Sequence, residues 1–320
     1  YFGVAQNLAE KGRSTFGGIN PTNGYHPLWM GVLAGLKALI PGVATETLAV
    51  VASVIALAAT WGLIWYAAVR ARLEPLLVPV LGVVVVFWLA PLLPGAYKLT
   101  FNGMGTTLLV PLLLAVPCLL AGISVTDLRR ASGVRLGLVS VVFAMACMAR
   151  LDAAAIAATF IAVAVLANGG DRRLVLHLAT APVVVLLVYA IANKAIFGVF
   201  VPVSSLAKSQ APISLDLHPF VQLFWWDSQQ RLPTIVGASM GIPIAVLIVQ
   251  LVLVVWQRDW SCYRRDIWTV YAIVCVLGTL GIFAVFAVNS NWRVWEWYKY
   301  GNMLATIAAV LGVSRQLSRA

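Results

Sequence analysis

The chain has 320 residues, 62% of them hydrophobic and only 10% charged, with a formal net charge of +11. A soluble globular domain carries about a quarter charged residues. This composition, with a mean hydropathy of +0.93, therefore excludes an ordinary soluble fold and predicts an all-α, polytopic helical membrane protein. The basic residues sit in short loops between apolar runs, which reads as membrane topology and excludes a nucleic-acid footprint.

In chain order, the sequence opens without an initiator Met or a signal peptide, already inside an amphipathic pattern, so it is expected to begin partway into a longer protein. Residues 3–11 (GVAQNLAEK) predict an interfacial helix with Phe2, Val4 and Leu8 on one side. Residues 14–29 (STFGGINPTNGYHPLW) form a polar segment in which Gly17, Gly18, Gly24, Pro21 and Pro27 rule out a continuous helix. An irregular polar loop beside a membrane persists where it meets water or lines a cavity. The next run, 27–40, is short for a hydrocarbon core of roughly 30 Å and contains Lys37. It predicts a second interfacial helix with Trp29 at headgroup depth.

Apolar runs then predict about nine transmembrane helices, over 45–69, 74–94, 104–122, 136–150, 153–168, 173–192, 233–256, 267–288 and 301–314. Arg150-Leu151-Asp152 breaks the fourth run from the fifth at a tight turn. Alternation puts Arg70, Arg72, Arg129, Arg130, Arg135, Arg172, Arg173, Arg258, Arg264, Arg265, Arg315 and Arg319 on one side, which the positive-inside rule makes cytoplasmic. The six lysines (Lys11, Lys37, Lys98, Lys194, Lys208, Lys299) fall on the other side or at its interface, which calls for a local explanation. One membrane domain covers 1–320: a first extracytoplasmic loop with its two juxtamembrane helices (1–44), a six-span core (45–192), a long extracytoplasmic loop (193–232) and three C-terminal spans (233–320).

Arg150 and Asp152 are the charges that stand out, because an unpaired charge at membrane depth costs on the order of 3 kcal/mol. Either they lock the turn as a structural pair, or Arg150 binds a phosphate while Asp152 orients it or a sugar hydroxyl. At i and i+2 the two side chains need not face each other if the segment is helical. His26 is the histidine of the polar segment, a hydrogen-bonded structural residue or a group of the site. Asn23-Gly24 is a turn signal, and Asn20 is a second turn candidate. Lys98, Lys208, Arg231, Arg293 and Lys299 form a loose outer basic set. Singly they are solvated charges, and together they suit a phosphate on a lipid carrier. The aromatic stretch 289–300 (NSNWRVWEWYKY) reads as an interfacial belt or as a sugar-stacking surface. Cys118, Cys147, Cys262 and Cys275 have neither metal-site nor disulfide-framework spacing. No carboxylate pair at general-base spacing and no metal-ligand cluster is recognisable.

The run YFGVAQNLAEKGRSTFGGINPTNGYHPLW resembles the first outer loop of bacterial GT-C glycosyltransferases, multi-span enzymes related to protein O-mannosyltransferases and lipid A aminoarabinose transferases. Arg150-Leu151-Asp152 resembles the R-L-D of that family. Gly198 through Pro202, Ser204 and Lys208 is similar to its G-x-x-x-P-x-S-x-x-x-K segment. The resemblance implies a GT-C-like fold in the bacterial inner membrane, with an extracytoplasmic site. A polyprenyl-phosphate sugar would be the donor and an envelope glycan, lipid or protein the acceptor, with membrane lipids as the other partners and no nucleic acid. It implies lipid-phosphate binding by Arg150, Lys208 and Lys98, and substrate binding by Asn23, His26 and Asp152. The general base is expected just upstream of Tyr1, with the first transmembrane helix of the family. Some relatives carry Glu where Gly105 stands, which argues against an acidic role there. No metal is assigned, and the need for a divalent cation is left open. The rival readings are a lipid-linked sugar transporter or flippase, which should show repeated halves and broken helices, and a non-catalytic membrane subunit.

Overall fold

The computed structural model describes residues 1–70, 105–209, 215–224, 240–258, 260, 265–289 and 296–317. It is helical, and among the described residues there is no strand, only an isolated bridge between Thr15 and Pro21. The helices are α1 (Phe2–Lys11), α2 (Pro27–Leu39), α3 (Thr45–Arg70), α4 (Thr106–Leu119), α5 (Gly133–Ala149), α6 (Ala154–Ala167), α7 (Arg172–Phe197), α8 (Val203–Leu206), α9 (His218–Phe224), α10 (Gly241–Gln257), α11 (Ile267–Asn289) and α12 (Tyr300–Leu317). Three of them, α3, α7 and most of α11, are long and apolar enough to cross a membrane, and α2, α4, α5, α6 and α10 are shorter apolar helices. The predicted run 74–94 lies outside the described residues.

Helix boundaries follow local chemistry. Ser132 caps α5 by accepting from the Arg135 amide at 3.3 Å, and Asp171 caps α7 by accepting from the Arg173 amide at 2.9 Å. Pro27 takes the first position of α2, where its missing N–H costs nothing. Gly198 ends α7 in the left-handed region, φ 75°, turning the chain towards the 202–209 segment. Three of the six lysines have a local explanation here. Lys11, Lys37 and Lys194 lie in the last turns of α1, α2 and α7, where a cation complements the negative helix end. Lys37 is buried, donates to the carbonyls of Pro41 and Val43 at 2.6 and 3.1 Å, and pairs with Glu10 at 3.7 Å. Lys194 donates to the Gly198 carbonyl at 2.9 Å.

Packing divides into two cores. The larger joins α3 to α4, α4 to α5, α5 to α7, α6 to α11 and α11 to α12, with Phe143, Phe160, Tyr271 and Phe283 at full burial. A smaller one forms where α1 lies on α2 and both meet α3, around Val4, Ala5, Trp29, Met30 and Leu33. Trp29 is wholly buried in this second core. Its neighbours bury it: α1 lies on α2, and the start of α4 comes so close that a Cβ on Gly105 would stand 3.4 Å from the Trp29 Cβ. At about 20 Å from 13 residues, α2 is shorter than a hydrocarbon core. Away from this region, Asp266 accepts from the Thr269 amide and hydroxyl and from Arg315, the last at 2.6 Å. Gln250 donates to Thr269 at 2.7 Å, so α10, α11 and α12 are tied together by polar groups.

Candidate functional site

The chain leaves α5 in an extended conformation at Arg150 (φ −158°, ψ 123°) and enters a short 3-10 turn, Leu151–Ala153, before α6. In a continuing helix the side chains at i and i+2 would diverge. The extended residue instead lets them meet, and Arg150 grips Asp152 with two parallel bonds, Nε to Oδ1 at 3.0 Å and Nη2 to Oδ2 at 2.8 Å. Nη1 donates to Thr106 Oγ1 at 3.0 Å, at the first turn of α4. The guanidinium is 1% exposed and faces the Tyr298 ring at 4.7 Å and the Tyr300 ring at 5.5 Å, in cation–π range. Arg150 and Asp152 therefore form an ion pair across the turn, as the structural alternative requires.

Gly105 lets α4 start this close to Arg150. A Cβ there would overlap the Ala149 carbonyl oxygen and press on Trp29, so no side chain fits, acidic or otherwise.

In front of the pair lies a cavity of about 280 Å³. Four stretches of chain build it: Tyr1 with 24–26 from the first loop, 150–152, the Pro202 to Ser209 segment, and Val285, Phe286 and Tyr298 from the end of α11 and beyond. Tyr298 organises the far wall. Phe286 meets its ring edge-on at 4.7 Å, and Lys208 donates to its hydroxyl at 3.1 Å. The same ring thus touches both cations of the site, Arg150 and Lys208.

His26 lines the cavity beside Tyr1, ring centroids 6.2 Å apart. Burial, then the nearby Arg150 charge, lowers its pKa to about 3, so it stands in the cavity as a neutral imidazole. Burial pushes the Tyr1 phenol up to about 12 and keeps it a hydrogen-bond donor. The lining carries the cations Arg150 and Lys208 and the carboxylate Asp152, an excess of one positive charge over these three side chains.

Of the six residues singled out from sequence, Arg150, Asp152, His26 and Lys208 are brought together at this cavity. Asn23 does not line it. At 1% exposure its side chain accepts from the Val203 amide at 2.9 Å and donates to the Val201 carbonyl at 3.4 Å, riveting the first loop to the segment that carries Ser204, Ser205 and Lys208. Its backbone carbonyl also accepts from Tyr25 N at 2.8 Å, as a turn residue would. Lys98 lies outside the described residues, as do Arg231 and Arg293. Lys299 is buried rather than solvated.

Sequence reasoning missed Thr106 as the partner of Arg150 and Tyr298 as the shared wall. Tyr298 had a signal, since it sits in the aromatic stretch; Thr106 had none. Among the described residues no group of three or more His, Cys, Asp or Glu side chains is placed to hold a metal ion. No protein family, curated protein or solved structure matches this chain.

Proposed function

We propose that this chain is the membrane part of a GT-C-type, inverting glycosyltransferase that moves a sugar from a polyprenyl phosphate to an envelope acceptor at the extracytoplasmic face of a bacterial inner membrane. One observation carries the reading. The segments whose sequences resemble that family, far apart in the chain, converge on one cavity holding two cations, a carboxylate and a neutral imidazole. An excess of one positive charge suits a phosphodiester, which carries one negative charge.

In this reading Lys208 contacts the phosphate and Arg150, already held by Asp152 and Thr106, supplies a fixed field behind it. The acceptor hydroxyl attacks the anomeric carbon from the side opposite the phosphate. The carbon–oxygen bond to the phosphate breaks, and polyprenyl phosphate departs with the electron pair, stabilised by Lys208. Asp152 and His26 accept hydrogen bonds from sugar or acceptor hydroxyls. Asn23 holds the wall in place, and Lys98 remains a third candidate for the phosphate. The proton of the acceptor goes to a carboxylate that the resemblance puts before Tyr1, and Tyr1 itself lines the cavity. The nine-span arrangement with two interfacial helices belongs to the same proposal; the lengths of α3, α7 and α11 support it.

The test is sugar transfer by the purified protein, with its natural upstream residues, from a panel of radiolabelled polyprenyl-phosphate sugars to membrane extracts. Transfer from at least one donor, lost in Lys208→Ala, is the expected result. Absence of transfer from every donor, or equal turnover by Lys208→Ala, overturns the proposal.

A further inference from the structure

A second charged surface lies at the other end of the same helices. The turn Val125–Arg130 packs on α6 and α7, and Asn168 holds it by donating to the Val125 carbonyl at 2.8 Å. Gly133, at the start of α5, lies 3.7 Å from the His177 ring of α7, measured from where its Cβ would stand. These contacts bring Arg129 and Arg130 of the turn, Arg135 of α5, and Arg172 and Arg173 of α7 onto adjoining segments, all five exposed. Among the described residues, two carboxylates stand on these segments. Asp127 pairs with Arg130 at 3.7 Å, and Asp171 is occupied in capping α7. Over these seven side chains, three positive charges are left in excess.

Exposed apolar side chains run away from these arginines. On α5 they are Val134 (76% exposed), Leu138 and Val141, and on α7 Leu176 (67% exposed), Val183 and Leu187. Each set recurs at helical spacing and so forms a stripe along one face. The rise of α5 separates the arginines from Arg150 by about 25 Å, close to the thickness of a hydrocarbon core. Guanidinium groups bind phosphate through paired N–H donors. A charged rim at the foot of two apolar stripes fits a ligand with an anionic head and apolar tails. A soluble anion would leave the stripes unused.

We propose that this end of the protein binds an anionic phospholipid, its phosphate on Arg129, Arg130, Arg135, Arg172 and Arg173 and its acyl chains along α5 and α7. The site is separate from the cavity and stands whether or not the cavity transfers sugars.

Native mass spectrometry of the detergent-purified protein, titrated with phosphatidylglycerol or phosphatidylcholine, tests it. At an ionic strength of ~0.15 M, where exposed charges act over about 8 Å, phosphatidylglycerol should bind at least roughly tenfold tighter than phosphatidylcholine. Replacing Arg129, Arg130, Arg172 and Arg173 together by Gln should make the two lipids equal, and replacing the same four by Lys should keep the preference. Arg258→Gln, an exposed arginine outside the cluster, should leave it intact. In the unaltered protein, raising the salt to about 1 M shortens the range to about 3 Å and should erase the preference. A preference that survives the four Gln substitutions or high salt overturns the proposal. Displacement of phosphatidylglycerol by inorganic phosphate at equal concentration also overturns it, since the site would then be one for soluble anions.

Discussion

Replacing Arg150 by Met keeps most of the side-chain volume while removing the charge and all three hydrogen bonds. Stranding one member of a buried ion pair costs about 3–5 kcal/mol. Asp152 retains some exposure, its side chain being 16% accessible, so water in the cavity resolvates part of its charge and the pair contributes nearer ~3 kcal/mol. The contacts to Tyr298 and Tyr300, at 4.7 and 5.5 Å, add on the order of 1 kcal/mol each. Arg150→Met is therefore expected to lose roughly 3–5 kcal/mol. Asp152→Asn keeps one acceptor for the guanidinium and is expected to lose about 2–3 kcal/mol. Because both changes break the same pair, the double variant should lose less than the sum, by about 1–3 kcal/mol. The assay is equilibrium unfolding of the purified protein in mixed detergent micelles. A loss below about 0.5 kcal/mol for Arg150→Met, the level of an ordinary surface change, would mean that the ion pair contributes almost nothing to the fold. Arg150 would then be a cation held loosely for substrate rather than the lock of the α5–α6 turn.

Lys208→Ala should cost under ~1 kcal/mol of stability, as a partly exposed charge does, while abolishing binding of polyprenyl phosphate in a direct titration. Asn23→Leu strands the Val203 amide and the Val201 carbonyl and should cost about 1–3 kcal/mol per unsatisfied group, with proteolysis in 198–209 accelerated; unchanged cleavage would contradict the rivet. Gly105→Ala should cost about 1–3 kcal/mol by overpacking against Ala149, read from the same unfolding curves. The pH dependence of His26 has a definite sign. Its pKa falls from 6.5 to about 3 on folding, so as pH drops below ~6.5 the unfolded chain takes up a proton that the folded one refuses. Stability should therefore decline towards pH 3, by at most about 1.4 kcal/mol per unit, and His26→Asn should lack that slope. Above pH ~6.5 the two proteins should respond alike.

Much of the helical layout is legible because lipid-compatible helices are long apolar runs and their ends are marked by charge. The predicted runs 45–69, 153–168 and 267–288 correspond to α3, α6 and α11 within a few residues, and 3–11 and 27–40 correspond to α1 and α2. Arg150-Leu151-Asp152 is readable as a break because two charges interrupt an apolar run. Its bidentate geometry is not, since the extended conformation of Arg150 leaves no mark in the sequence. Asn23 reads as a turn residue and a substrate contact. Besides its turn, its side chain bonds residues 178 and 180 positions away, a distance that no periodicity encodes. The same holds for Arg150 with Thr106, 44 positions apart, and Lys208 with Tyr298, 90 apart. The burial of Trp29 against other helices is not legible in the sequence, because a lipid-facing aromatic and a core aromatic look alike until the packing helices are known.

The most direct measurement is a photocrosslinking map with a short-chain polyprenyl phosphate bearing a benzophenone beside the phosphate. If the cavity holds the lipid phosphate, label should appear on Val285, Phe286 and the 202–209 segment, and Lys208→Ala should remove it. Label confined to 125–135 and 172–177, at the arginine-rich end, with the 202–209 segment untouched, would contradict the cavity as the place where the lipid phosphate binds.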